Sequence, residues 1–303
     1  MFYRWLTKMG VAVLLFSFGS HVAYAKINVF ACEPEWAALT QQLGGAAVKV
    51  FSATTNRQDP HHIQARPSLI AKVRRADLLV CTGADLEVGW LPLLLRKSGN
   101  GKILSGQLGH FMAAEQVTLL EKPALLDRSL GDIHAAGNPH VHFDPHRMQK
   151  IAHSLSQRLM KIDPANSALY QKNEQDFTRQ WQQAIQQWQQ TARDLHGQRI
   201  VVSHNNWVYL EQWLGLKRVA TLEQKPGVQA SSRHLSKVLA QLKQNPASMI
   251  LTASYQNKQS ARWLLKKTAI ASIELAFSPA ENETLVQWFG QVVGQLLKAR
   301  VRS

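Results

Sequence analysis

Cysteine is scarce, with two residues in a chain of 303, which excludes a disulfide-stapled miniprotein and a four-cysteine zinc module. Glycine (17) and proline (11) are modest too, so neither a collagen repeat nor a low-complexity fibre fits. Hydrophobic residues make up 45% of the chain and tryptophan occurs nine times, a composition that disordered chains lack. No apolar run reaches the roughly 20 residues that a membrane span needs. GxSxG, HExxH and Walker signatures are absent, which removes the commonest sequence routes to a serine hydrolase, a zincin or a nucleoside triphosphatase. Lys and Arg outnumber Asp and Glu by 35 to 20. They are scattered rather than arranged in a stripe with stacking aromatics, so no nucleic-acid partner is expected.

The first residues read as an address rather than a fold. Arg4 and Lys8 precede the short apolar run Val11 to Phe18, and Ala23-Tyr24-Ala25 supplies the small residues a signal peptidase reads. Residues 1–25 are therefore expected to be a signal peptide, cut before Lys26. No cysteine stands at the cut, so a soluble periplasmic protein is expected rather than a lipoprotein or a membrane-spanning one. Removing the leader takes two of the fifteen net positive charges.

The remainder alternates strand and helix. Ile27 to Ala31, Val48 to Ser52 and Leu78 to Cys81 read as strands, with helices at Trp36 to Leu43 and Leu69 to Arg75. Residues 99–138 read as loop-rich with weak helical pieces. From Pro164 to His196 the apolar positions Phe177, Trp181, Ala184, Ile185 and Trp188 recur at spacings of three and four, which predicts one amphipathic helix of roughly 30 residues, about 45 Å long. The α/β pattern then restarts, with strands at Arg199 to Ser203, Val219 to Leu222, Ser248 to Leu251 and Ala271 to Leu275, and helices between and after them. The expected fold class is α/β: an N-terminal lobe over 26–160, a long linking helix over 161–196 and a C-terminal lobe over 197–303, each lobe with a parallel sheet. Open sheets bind ligands at the carboxyl ends of their strands, which puts a site in the cleft between the lobes.

Three histidines stand where such a site would form. His61 lies in Asp59-Pro60-His61-His62, His140 in Asn138-Pro139-His140-Val141-His142-Phe143-Asp144-Pro145, and His204 directly after the strand RIVVS. Three imidazoles and one further donor make a usable tetrahedral zinc site. Asp59 and Asp144 could orient the rings from behind. The three are 79 and 64 residues apart and form no local motif, and a lone histidine after a strand is more often a cap or surface residue than a ligand.

As a set, these stretches resemble the metal-binding solute-binding proteins of ABC importers, the cluster A-I family that carries zinc or manganese. The resemblance rests on DPHHIQARPSLIAKVRRADLLVCTGADLE (59–87), GNPHVHFDP (137–145), VVSHNNWVYLEQWLGL (201–216) and LEQKPGVQASSRHL (222–235), in the expected order. It implies two α/β lobes bridged by a helix with little hinge opening, a single bound cation, no catalysis, and an inner-membrane ABC permease as partner of a monomeric protein. It also implies His61, His140 and His204 as metal ligands, with His62 and His142 flanking them.

The fourth ligand departs from the pattern: the family's aspartate position is Phe277, and the residue before the first histidine is Pro60. Water, Glu223 or a neighbouring histidine such as His134 remain for that position, with Glu223 preferred. Three neutral imidazoles suit Zn2+ better than Mn2+, and binding is expected to fall below about pH 6 as imidazoles protonate. Cys32 and Cys81 follow strand ends and form either a disulfide or two buried thiols. Two rival readings share the same residues: a zinc hydrolase with an activated water, and an adhesin or scaffold that binds no metal.

Overall fold

The computed structural model describes residues 25–124, 131 and 134–300, so the expected leader lies outside the described residues except for Ala25. Its elements in chain order are β1 (Ile27–Ala31), α1 (Pro34–Gly44), β2 (Val48–Ser52), α2 (Pro67–Arg74), β3 (Leu78–Cys81), α3 (Leu91–Ser98), β4 (His110–Met112), α4 (Pro145–Ile162) and α5 (Ser167–Thr191). They continue with β5 (Arg199–Val202), α6 (Val208–Leu214), β6 (Lys217–Thr221), α7 (Ser232–Gln244), β7 (Met249–Ala253), α8 (Gln259–Leu265), β8 (Ala271–Leu275) and α9 (Leu285–Arg300).

The strands form two four-stranded sheets, β2-β1-β3-β4 and β6-β5-β7-β8, in which every pairing is parallel. The inner strands are apolar almost throughout: LLVC and MILTA are buried at every position. That is the pattern of parallel strands covered by helices on both faces. In each sheet the chain order reverses at the central strand, β1 or β5, and the crevice at the carboxyl end of such a switch point is where open α/β sheets place ligands.

The long amphipathic helix is present but shorter than its periodicity predicts. Helix α5 has 25 residues, about 37 Å at 1.5 Å per residue. Pro164–Asn166, expected as its first residues, form a separate 3-10 turn, and α5 begins only at Ser167. Its end tightens into a 3-10 turn at Arg193–Leu195. Tyr170, Phe177, Trp181, Ala184, Ile185 and Trp188 are buried, facing α1, α4 and α9. One hydrophobic core therefore runs from Ile27 and Trp36 in the first lobe through Trp181 to Trp207, Trp288 and Leu296 in the second. Smaller clusters cover the outer face of each sheet.

Strand β4 and helix α3 were not expected within 88–112. His110–Met112 is three residues long, too short to show an alternation, and takes its place by pairing with β3. Across the two lobes, the Tyr209 hydroxyl donates to the Asn138 carbonyl at 2.6 Å, the Asn138 amide to the Asn205 carbonyl at 2.7 Å, and the Ser254 hydroxyl to the Asn56 carbonyl at 2.8 Å.

The two cysteines resolve to a disulfide, Cys32–Cys81, with Cα atoms 4.8 Å apart and a sequence separation of 49. It ties the carboxyl ends of β1 and β3 and is fully buried. A loop of that length corresponds to about 4 kcal/mol in the chain-entropy treatment. Replacing both cysteines with serine should lower the melting temperature, and intact-mass analysis after alkylation should find no modified thiol in the native protein unless it is first reduced. An alkylated native protein would contradict the bond.

Candidate metal centre

Each of the three histidines is fixed by its own local structure. Asp59 closes a turn by accepting from the His61 backbone N–H at 3.0 Å, and the Trp90 indole donates to the Pro60 carbonyl at 2.8 Å, pinning the loop that follows β2. Asn138 accepts from the His140 backbone N–H at 3.1 Å. Just beyond, Asp144 caps α4 by accepting from the N–H groups of His146 and Arg147 at 2.8 and 3.2 Å, with Pro145 at the first helical position. His204 follows β5 at the carboxyl edge of the second sheet.

These loops bring the three rings together. One ligand atom from each of His61, His140 and His204 lies within 4.8 Å of the others, and the ring centres are 5.7 to 6.1 Å apart. The side chains of His61 and His204 are 9% exposed and His140 is buried. His61 Nδ1 donates to Asp59 at 2.8 Å and His204 Nδ1 donates to Glu223 at 2.7 Å. A carboxylate only accepts, so both protons sit on Nδ1 and both Nε2 lone pairs are left for the interior of the cluster. Burial first, and then the neighbouring imidazoles of His61, His204, His142 and His134, push His140 well below the ordinary histidine value. Burial alone would raise the Asp59 carboxyl, but its hydrogen bond with His61 and the attraction to that ring hold it below the usual range. A cleft of about 280 Å³ reaches His61 and His204 from solvent. The arrangement offers three imidazole nitrogens to one divalent cation at the inner end of that cleft.

Comparison with known proteins shows the family. The family described as "Zinc-uptake complex component A periplasmic", ZnuA, matches residues 29–299. The chain belongs to the ZnuA family. That family is one of metal-binding solute-binding proteins of ABC importers. The high-affinity zinc uptake protein ZnuA of Bacillus subtilis is 24% identical over 192 residues, covering 63% of this chain and 60% of that protein. The manganese ABC transporter substrate-binding lipoprotein PsaA of Streptococcus pneumoniae is 21% identical over 250 residues, 81% of this chain and 77% of the relative. A crystal structure of a ZnuA superposes with a TM-score of 0.76 at 19% identity, covering 91% of this chain and 99% of the other, a likeness of fold.

Two placements differ from what the sequence suggests of this ZnuA-family chain. Glu223 does not join the three imidazoles: its carboxylate accepts from His204 Nδ1 and, at 2.9 Å, from the Gly227 N–H, so it stands behind a ring rather than beside it. Asp144 caps a helix instead of orienting an imidazole. The imidazole beside the cluster is His134, whose Nε2 is 3.4 Å from His61 Nε2. His62 packs against His61 with ring centres 6.1 Å apart, and His142 lies under His140 against Phe277.

Sequence reasoning missed a layer of buried acids next to His142. Glu33, Glu35 and Glu87 are all buried. Glu87 accepts from the backbone N–H groups of Thr82 and Gly83, and Glu33 from the Thr82 hydroxyl at 3.1 Å. Glu35 lies 3.5 Å from His142 Nδ1. Burial is the main cause that raises Glu33 well above its ordinary value and brings Glu35 and Glu87 up to about 7. Burial also drives His142 down to about 3, so the imidazole in this contact is uncharged. The available signal was acids within six residues of two strand ends, in CEPE and in CTGADLE. Cys32, Cys81 and Glu87 are also close enough to share an ion, but both sulfurs are committed to the disulfide.

A carboxyl raised in the folded state contributes stability that is complete below its unfolded value near 4.5 and is lost as pH climbs through 7. The lowered His142 acts oppositely, losing its contribution as pH falls from 6.5 toward 3. Glu35→Gln should therefore raise the melting temperature of the metal-free protein at about pH 8, by at most about 3 kcal/mol in stability. The gain should vanish near pH 4, where the wild-type carboxyl is protonated in both states. Thermal melts across that range test this, and a gain independent of pH would contradict it.

Proposed function

We propose that this protein is a monomeric, exported zinc-capture protein that delivers Zn2+ to an inner-membrane ABC permease, with His61, His140 and His204 as its metal ligands. The observation that carries this reading is the mutual 4.8 Å approach of three ligand atoms drawn from widely separated stretches of chain. Asp59 behind His61 and Glu223 behind His204 complete carboxylate–histidine arms of the kind that fix ring tautomers at metal sites. The donors are imidazoles rather than carboxylates, which favours Zn2+ over the harder Mn2+. The ion is cargo: it enters through the cleft, is held by coordination, and leaves unchanged. Among the described residues no helix is long and apolar enough to cross a membrane, in keeping with a permease as a separate partner.

Saturating zinc should raise the melting temperature by roughly 10 °C, as mass action requires of a tight ligand in a chain of this size. His140→Ala should abolish that shift and tight binding in a chelator-competition titration, while leaving the metal-free melt near wild type. Unchanged affinity in this variant would refute the assignment. Glu223→Gln separates orienting from ligating: an orienting partner predicts zinc binding weakened by about 10- to 100-fold but retained, and complete loss would make Glu223 a ligand.

A further inference from the structure

Three ring nitrogens leave a tetrahedral ion one donor short. The nearby carboxylates stand behind the rings, each turning one oxygen to an Nδ1, Asp59 to that of His61 and Glu223 to that of His204. The Phe277 ring closes another side, packed edge-on against His140 with centres 5.4 Å apart.

His134 is placed differently. Its Nδ1 donates to the Ala84 carbonyl at 3.0 Å; a carbonyl only accepts, so in the uncharged ring the Nε2 carries a lone pair. His61 Nε2 carries one as well, because its proton is held by Asp59. These two nitrogens face each other at 3.4 Å. Two acceptors at that distance repel unless a proton or a metal cation is shared between them. With zinc–nitrogen bonds of 2.0 to 2.1 Å, the nitrogen–nitrogen edge of a tetrahedral site is about 3.3 to 3.4 Å, which is the separation found. The ring centre of His134 is 5.4 Å from that of His61 and 6.4 Å from that of His140, so it flanks the trio on the His61 side, outside the 4.8 Å grouping of the other three.

The backbone holds His134 there deliberately. Gly83, Ala84 and Asp85 adopt left-handed conformations in succession, φ 78°, 50° and 65°, uncommon for the two residues that are not glycine. Glu87 secures this turn through the Gly83 N–H, and Asp85 reaches across to accept from the Ala135 N–H at 3.3 Å. The result presents the Ala84 carbonyl to His134.

We infer that His134 is the fourth ligand, closing an all-imidazole, four-coordinate site that selects zinc over manganese. This rests on the assignment of His61, His140 and His204 as ligands and extends it. A closed nitrogen site leaves no position for an activated water and offers no oxygen donor to a hard cation.

X-ray absorption on the zinc-loaded full-length protein tests it by counting imidazoles. Four in the wild type and three in His134→Ala are expected, with zinc affinity at least about tenfold weaker in the variant, since even an orienting partner is worth that much. The ratio of zinc to manganese affinity should fall in the same variant. Three imidazoles in the wild type, with His134→Ala unchanged in affinity and metal preference, would overturn the fourth-ligand inference and leave the three-histidine reading standing. A wild-type protein that retains no zinc would overturn that underlying reading instead. If His134→Ala does not fold, the wild-type imidazole count decides alone.

Discussion

Hydrogen bonds on the far side of the imidazole rings are the constraint from which the rest of the site follows. An imidazole offers two nitrogens, and the one that faces inward is decided by what holds the other. Asp59, Glu223 and the Ala84 carbonyl each take an Nδ1 proton, from His61, His204 and His134. Lone pairs then converge on a small volume at the inner end of the cleft. Burial and mutual repulsion keep His140 uncharged, the form in which imidazole binds a metal. Flexible or differently paired rings would be four unrelated histidines.

Such convergence needs a stiff frame. A cluster assembled from loops at the facing edges of two sheets would be lost if the lobes swung freely. A single hydrophobic core instead passes through both, with α5 packed against helices from each side. Hydrogen bonds from Tyr209, Asn138 and Ser254 stitch loop to loop across the cleft. On the first lobe, the buried Cys32–Cys81 bond joins the two strand ends beside the acids. Glu33, Glu35 and Glu87 crowd together there without ion pairs to balance them, which their partial neutralisation permits. The same protonation carries a cost in stability as pH rises.

Much of the frame was legible in the residues. Strands such as Ile27–Ala31 and Ala271–Leu275 stand where β-rich runs put them, and the two-lobed α/β order follows from the alternation of strand and helix. The misreadings have local causes. The periodicity of α5 ran past its ends because periodicity records a face, whereas the 3-10 turns on either side set the limits. Strand β4 is three residues that pair only because β3 is already in place. Glu223 is near a strand end in the chain, but its partners, His204 Nδ1 and the Gly227 N–H, are set by how the following loop folds back.

The sequence by itself determined the alternation that builds two parallel sheets, the amphipathic face of the connecting helix, and the three short stretches in which His61, His140 and His204 stand at loop and strand ends. Those properties are local, set by propensity, periodicity and the residues that flank each turn. Only the tertiary structure decided that the three rings meet, that Cys32 reaches Cys81, that Glu223 backs His204, and that His134 enters beside His61. Each of these is a distance between residues remote in the chain, and such distances are fixed by how the two sheets pack on their shared core.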